Sequence, residues 1–184
     1  MGGVASLGGI GERAAVMWTV SHKYDKHGAA LADGHYSRRT PGSPQFMPPG
    51  ETLVLMLSGA VFGWWRPHPR SGLRAMNGLD GWTCTIFRNT TTLLSSELIL
   101  HAETALVDYQ ENDPDCGGPC GPDGMLTYVH DRKVRSTNPG WCFQCAGWTR
   151  RGRSADGRKT LLGKPINLAG VAASPWPTGF AEAA

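Results

Sequence analysis

The stretch "NPGWCFQCAGW", Asn138 to Trp148, supports two incompatible readings. Cys142 and Cys145 form a CxxC, and Cys116 and Cys120 make a second pair upstream. Two cysteine pairs joined by about 15–20 residues read as a structural zinc site. Here the gap is a little longer, and the first pair is a CxxxC in a Gly/Pro-rich loop. Such a site would be structural, because four thiolates leave no open position. In the other reading the stretch is a short helix. Pro139 then stands near its first position and Gly147 near its C-terminal cap, with a strand following. The cysteines become small packing residues.

The surroundings favour the helix. Downstream, "TRRGRS" and "KTLLGKPI" flank the turn "ADGR", the pattern of a hairpin. Upstream, "MLTYVHD" reads as a strand after the turn-rich "NDPDCGGPCGPDG". From Ser96, apolar residues fall at Leu98, Ile99, Ala102, Ala105, Leu106 and Tyr109, the spacing of an amphipathic helix. Ser95 or Ser96 suits its N-cap and Glu97 its first turn. "WTCTIFRN" (Trp82–Asn89) is a strand rich in β-branched and aromatic residues. "TLVLML" and "AVFGWW", separated by Ser58-Gly59, read as a tight antiparallel hairpin. "TPGSPQFMPPG" (Thr40–Gly50) is a loop, "KHGAALADGHYSRR" a weak helix, and "AVMWTV" (Ala15–Val20) a first strand. The order predicts an α/β fold with a mixed, mostly antiparallel twisted sheet and flanking helices. Residues 1–14 read as a flexible N-terminal segment, 15–170 as one domain and 171–184 as a tail.

With 184 residues, 40% hydrophobic, the chain can bury a real core as a single domain. No apolar run approaches the ~20 residues of a membrane span, and no signal peptide is read. The five cysteines are expected as free thiols in a reducing cytoplasm. The net charge of +3 is unevenly spread. Glu97 to Asp131 holds no Lys or Arg, whereas Arg132 to Lys164 holds nine and a single acid, Asp156. Such a segment suits nucleic acid or a phosphate-bearing cofactor, or is a solvated surface with no partner.

Several residues carry candidate chemistry on their own. Arg88-Asn89 ends a strand, where α/β sheets place ligand sites, and Arg88 suits bidentate phosphate binding or a salt bridge. His35-Tyr36-Ser37 offers a general base and two hydroxyls, or is a surface loop. Strand alternation sets Tyr128 with Leu126, opposite Thr127 and Val129; it supplies an acid or packs in the core. Asn138 starts an ordinary Asn-Pro turn or orients a ligand.

The second half of the chain resembles the GNAT acyltransferase fold. Strand Trp82–Asn89, the loop into helix Ser96–Gln110, strand Met125–His130, helix Pro139–Ala146 and the closing hairpin stand in that family's order. Asn138, Phe143, Gly147 and Trp148 match its Asn, aromatic and Gly-aromatic positions. "HYSRR" (His35–Arg39), "FGWWRP" (Phe62–Pro67) and "LSSELI" (Leu94–Ile99) further resemble the phage Mom-type DNA-modification proteins, over roughly residues 15–166. The resemblance implies transfer of a small acyl-type group to adenine in double-stranded DNA, shielding phage DNA from restriction in the host cytoplasm. It implies acetyl-CoA or a related acyl donor, held by Arg88, Asn89, Ser95, Ser96, Asn138 and Phe143. His35, Tyr36, Ser37 and Tyr128 would then serve catalysis, and Arg132, Lys133, Arg135, Arg150, Arg151 and Arg153 would lie on DNA. Trp141, Trp148, Trp64, Trp65 and Trp82 are aromatics available to an extruded base. No metal ligand is assigned, and a homodimer is compatible with the sequence.

Two departures stand out. "RNTTTLLSS" lacks the glycines usual in the family's phosphate loop, so only the helix N-terminus at Ser95–Ser96 offers N–H groups freely. Phe143 replaces the Tyr that many members use as an acid. The rivals are a conventional acetyltransferase acting on a small amine or protein, and a zinc-stabilised nucleic-acid-binding protein.

Overall fold

A computed structural model describes residues 18–68, 71–72, 76–134 and 136–166. The chain runs β1 (Thr19–Ser21), α1 (Lys26–Asp33), β2 (Glu51–Leu57), β3 (Ala60–Arg66), β4 (Gly81–Asn89), α2 (Ser95–Asn112), β5 (Gly124–His130), α3 (Trp141–Cys145), β6 (Thr149–Arg153) and β7 (Lys159–Lys164). The seven strands form one sheet in the order β1-β2-β3-β4-β5-β7-β6. Every neighbouring pair is antiparallel except β4 and β5, which are parallel. The fold is therefore α/β with a mostly antiparallel open sheet, as the order of elements predicts. The first strand is shorter than expected; Ala15–Met17 lie outside the described residues, as do the proposed end segments and Arg135.

Local chemistry explains the elements. Ser58-Gly59 closes the β2–β3 hairpin, with Gly59 at φ 83°, a conformation that favours glycine. Asp25 caps α1 by accepting from the Gly28 N–H at 2.8 Å. α2 buries Leu98, Ile99, Ala102, Ala105 and Leu106, the face its spacing predicts. Its start differs from expectation. Leu94 is the N-cap and, being leucine, has no polar atom to cap with, while the Ser95 hydroxyl inside the helix accepts from Asn89 Nδ2 at 3.2 Å.

The helices divide between the two faces of the sheet. α2 and α3 cover one face, over a core that includes Phe62, Trp64, Trp82, Phe143 and Trp148. α1 covers the other, where Ala32, Phe46, Met47, Val54, Val61 and Ile86 pack. Along β4 the alternation slips once. Gly63 pairs with Ile86 and Trp64 with Cys84, leaving Thr85 as an extra residue in a β-bulge. Trp82 and Cys84 therefore face the α2 core, and Phe87 returns to it, while Ile86 faces α1.

Two buried ion pairs brace the ends of this frame. Arg66 Nε meets Glu51 Oε2 at 2.6 Å, and its guanidinium lies 4.6 Å from the Trp82 ring centre. The same guanidinium donates to the Pro119 and Gly118 carbonyls, pinning the loop that carries Cys116 and Cys120. Glu103 on α2 accepts from Trp148 Nε1 at 2.6 Å and from Lys164 Nζ at 2.5 Å, tying α2 to the closing hairpin.

The opening stretch resolves as a helix. α3 spans Trp141–Cys145 and ends at Gly147 (φ 87°), where the Trp148 N–H donates to Phe143 O at 3.0 Å. Phe143 and Trp148 are buried edge to face, centroids 5.0 Å apart. The cysteine pairs lie at opposite ends of β5, a strand of seven residues and so about 20 Å long. The four thiols are thus not brought together, and among the described residues no group of three or more metal-ligating side chains forms.

Candidate functional site

β4 and β5 share only four rungs, Gly81–Cys84 with Gly124–Thr127. Beyond them each strand continues, β4 to Asn89 and β5 to His130, without pairing to the other. The bulge at Thr85 falls where the pairing stops and bends β4 away. The result is a wedge at the carboxyl ends of two parallel strands, where open α/β sheets place ligands. Main-chain groups point into it. The Thr90 N–H donates back to Gly59 O on the hairpin turn at 2.8 Å, so by alternation the main-chain groups of Phe87 and Asn89 face the wedge.

The segment after α1 enters this opening. The Ser37 hydroxyl reaches Thr85 O on β4 at 3.3 Å. The Tyr36 hydroxyl reaches Tyr128 O and the His130 N–H on β5, each at 3.4 Å. Adjacent residues thus touch both walls. Ser37 Oγ also lies 2.7 Å from His35 Nδ1, and the Ser37 N–H donates to the same nitrogen at 3.3 Å. Nδ1 is therefore the unprotonated nitrogen of a neutral ring, with the proton on Nε2. Burial, aided by the Arg88 charge, lowers the His35 pKa to about 4 and keeps the ring neutral near pH 7. Burial also pushes the Tyr36 phenol up to about 12, so it acts as a hydrogen-bonding acid and not as a base.

Two cavities meet at this segment. A smaller one of about 430 Å³ is lined by His35, Arg88, Ser95, Lys133, Cys142 and Phe143, among others. A larger one of about 990 Å³ is lined by Ser37, Arg39, Phe46, Trp65, His130 and Lys159, among others. Tyr36 and Thr85 line both; His35 lines only the smaller and Ser37 only the larger.

The structure treats the expected site residues unequally. His35, Tyr36 and Ser37 converge at the wedge, and Arg88, Asn89 and Ser95 border the smaller cavity while Ser96 does not. Arg88 Nη1 donates to Gly34 O, so it is held against the end of α1. Asn89 organises the β4–α2 loop: Nδ2 donates to Leu93 O and Ser95 Oγ, and Oδ1 accepts from the Thr91 N–H and hydroxyl. With those bonds made, its amide is a loop brace and not a free ligand hand.

Asn138 lies outside the cavity linings; its Oδ1 accepts from Gln144 Nε2 at 3.2 Å and its carbonyl from the Trp141 N–H, the work of a turn. Phe143 is a core residue packed edge to face on Phe87 and Trp148, touching the cavity only as wall. Tyr128 gives its carbonyl to Tyr36, while its phenol meets Asn77; burial raises its pKa. Trp64, Trp82 and Trp148 are buried in the core, so of the five expected tryptophans the exposed Trp141 and the half-buried Trp65 remain open to a planar ligand.

The basic residues split as well. Arg132 and Lys133 are exposed beside the wedge, and Lys133 lines both cavities. Arg150, Arg151 and Arg153 stud the exposed β6, the sheet's edge. Each has an internal partner: Thr160 Oγ1 for Arg150, Asp123 O for Arg151, and Asp131 at 2.5 Å for Arg153. Charged residues on an edge strand also block unwanted strand pairing.

The bulge at Thr85 and the Phe46–Trp65 wall of the larger cavity went unread in the sequence. One signal was there, Gly63 inside "AVFGWW", since glycine within a strand marks a bulge or a close approach. A Cβ at Gly63 would meet Ile86 Cγ2 at 2.8 Å. Among the described residues, no helix is long and apolar enough to cross a membrane. No family model, curated protein or solved structure matches the chain.

Proposed function

We propose that the protein is a GNAT-like enzyme of the Mom type, transferring a small acyl-type group to adenine in duplex DNA. The observation that carries this reading is the wedge between β4 and β5. There a neutral histidine, a high-pKa tyrosine and a serine meet at the junction of two cavities. The strand order, with its single parallel pair followed by a short helix and a closing hairpin, supports the same reading.

In this reading an acyl thioester enters the smaller cavity, its carbonyl oxygen directed to the Phe87 N–H. A main-chain donor there stabilises the oxyanion that develops as the acyl carbon is attacked. Ser95, at the start of α2, and Lys133 stand where the donor's phosphates would lie. The larger cavity takes the flipped base. Trp65 and Phe46 offer apolar walls, and Arg39 and Lys159 offer cations to the flanking phosphates. Arg132 and Lys133 extend that cationic rim, while the arginines of β6 are largely committed internally.

The test is mass spectrometry of nucleosides from plasmid DNA after expression. The reading requires a modified deoxyadenosine that is absent when His35→Gln replaces the wild type. Unmodified adenine in every host tried, with firm binding of an acyl thioester and no affinity for DNA, would transfer the reading to a small-amine acceptor.

A further inference from the structure

The wedge holds a feature that direct transfer between two ligands does not need. Residues 35–37 run across the opening as a partition. Ser37 Oγ lies 3.3 Å from Thr85 O on β4, the longer alternative to His35 Nδ1 at 2.7 Å for its one proton, and the Tyr36 hydroxyl bonds to β5. His35 faces the smaller cavity, Ser37 faces the larger, and Tyr36 borders both. A donor in one cavity and an acceptor in the other would be separated by this segment. The serine and histidine that flank it are paired at 2.7 Å, the geometry of a nucleophile and its base.

The tautomer suits that role. Nδ1 accepts from the Ser37 N–H, so it has a lone pair directed toward the serine. Ser37 is exposed and its ester would project into the larger cavity, which has room for it. The nearest wedge-facing N–H on β4 beyond Thr85 is that of Phe87.

We propose that Ser37 is the nucleophile of a two-step transfer and carries the acyl group as an ester across the partition, with His35 Nδ1 as its base. This rests on the acyl-transfer reading above. In the first step the acyl end of a thioester in the smaller cavity reaches past His35 to the boundary, where Ser37 Oγ, 2.7 Å from His35 Nδ1, attacks the acyl carbon. A C–O bond forms and the C–S bond breaks. The hydroxyl proton passes to Nδ1 and then to the departing sulfur. In the second step an amino group of the acceptor attacks the ester carbon. A C–N bond forms and the C–O bond breaks. One amino proton returns through Nδ1 to Ser37 Oγ, restoring the hydroxyl.

The full-length protein is incubated with p-nitrophenyl acetate, without DNA, then quenched in acid and analysed by intact mass and peptide mapping. One acetyl group is expected on Ser37, absent from Ser37→Ala and formed at least tenfold more slowly by His35→Gln. Ser37→Cys, which keeps the side chain's size, is expected to trap a thioester that neutral hydroxylamine removes. Acetylation confined to lysines and equal in wild type and Ser37→Ala, with Ser37→Cys also unlabelled, would overturn the proposal. Two further outcomes separate it from the function itself. Full adenine modification by Ser37→Ala would refute the relay and leave the DNA-modifying activity standing. An acetylated Ser37 with unmodified DNA would refute adenine as acceptor and leave the relay standing.

Discussion

His35 provides the most quantitative consequence of the wedge. Its imidazole is folded in as the neutral form, with a pKa of about 4 against 6.5 in the unfolded chain. The folded pKa is the lower one, so the unfolded state binds more protons between these values. Stability from this group is therefore present above pH 6.5 and is lost as pH falls toward 4. Integrating the two titrations, the native state at pH 4.5 is about 2 kcal/mol less stable on account of His35 than at pH 7. Asp25, Asp33, Asp131 and Asp156 also sit below the ordinary carboxylate range, so acid weakens the fold through them too. Those groups are shared by the wild type and His35→Gln, and the comparison cancels them. Urea unfolding at pH 7 and pH 4.5 gives the double difference directly. The wild type is expected to lose about 2 kcal/mol more than His35→Gln over that interval. Equal losses would mean that the ring is solvated and protonated normally, and the argument for a neutral base beside Ser37 would fall.

The remaining predictions concern groups around the same frame. Gly34→Ala would drive a Cβ into the Arg88 guanidinium; since that side chain can swing away, the loss is about 1 kcal/mol, one hydrogen bond. The freed charge then leaves His35, whose pKa should rise in a proton NMR titration. Lys164→Met removes the partner of the buried Glu103 carboxylate, at a cost of about 3–5 kcal/mol by denaturant unfolding at pH 7. Burial already raises the Glu103 pKa, so that penalty should shrink as pH falls and the carboxyl takes up its proton. Lys133→Ala should weaken duplex DNA binding several-fold and lower the salt slope by about one, read by fluorescence anisotropy across ionic strengths. Arg153→Ala, which removes a cation paired with Asp131, should change both far less.

Most of the frame was legible because it rests on periodicity and turn chemistry. The α2 face, the Ser58-Gly59 hairpin and the end of α3 at Gly147 each follow from a local rule that the tertiary structure did not override. The N-cap of α2 differs from the expected serine because Leu94 O already accepts from the Leu98 N–H, which puts Ser95 inside the helix, where its hydroxyl meets Asn89. Asn89 borders the smaller cavity, but its amide is engaged by the β4–α2 loop, which its place at a strand end does not reveal. Asn138 and Phe143 were assigned by pattern alone; the pattern reports the turn and the core that hold α3, and neither needs a ligand to explain it. His35, Tyr36 and Ser37 were legible as chemistry but not as an arrangement. Their partners on β4 and β5 lie 48 to 94 positions away. The basic segment showed charge but not pairing, since the partners of Arg150, Arg151 and Arg153 come from neighbouring turns and strands.

The four rungs that join β4 to β5 also govern how the molecule assembles. β2 and β3 meet across a two-residue turn, the kind of contact that forms in about 1–10 μs. β5, β6 and β7 close nearly as locally around α3. The seam between these leaves brings Cys84 against Thr127, 43 residues apart, so its closure carries the larger loop-entropy cost. Local contacts within each leaf and a long-range seam between them predict that the β4–β5 junction forms after the hairpins, which hydrogen exchange during refolding would check. The same scarcity of rungs that opens the wedge leaves this junction with four paired rungs against the seven of the β2–β3 hairpin.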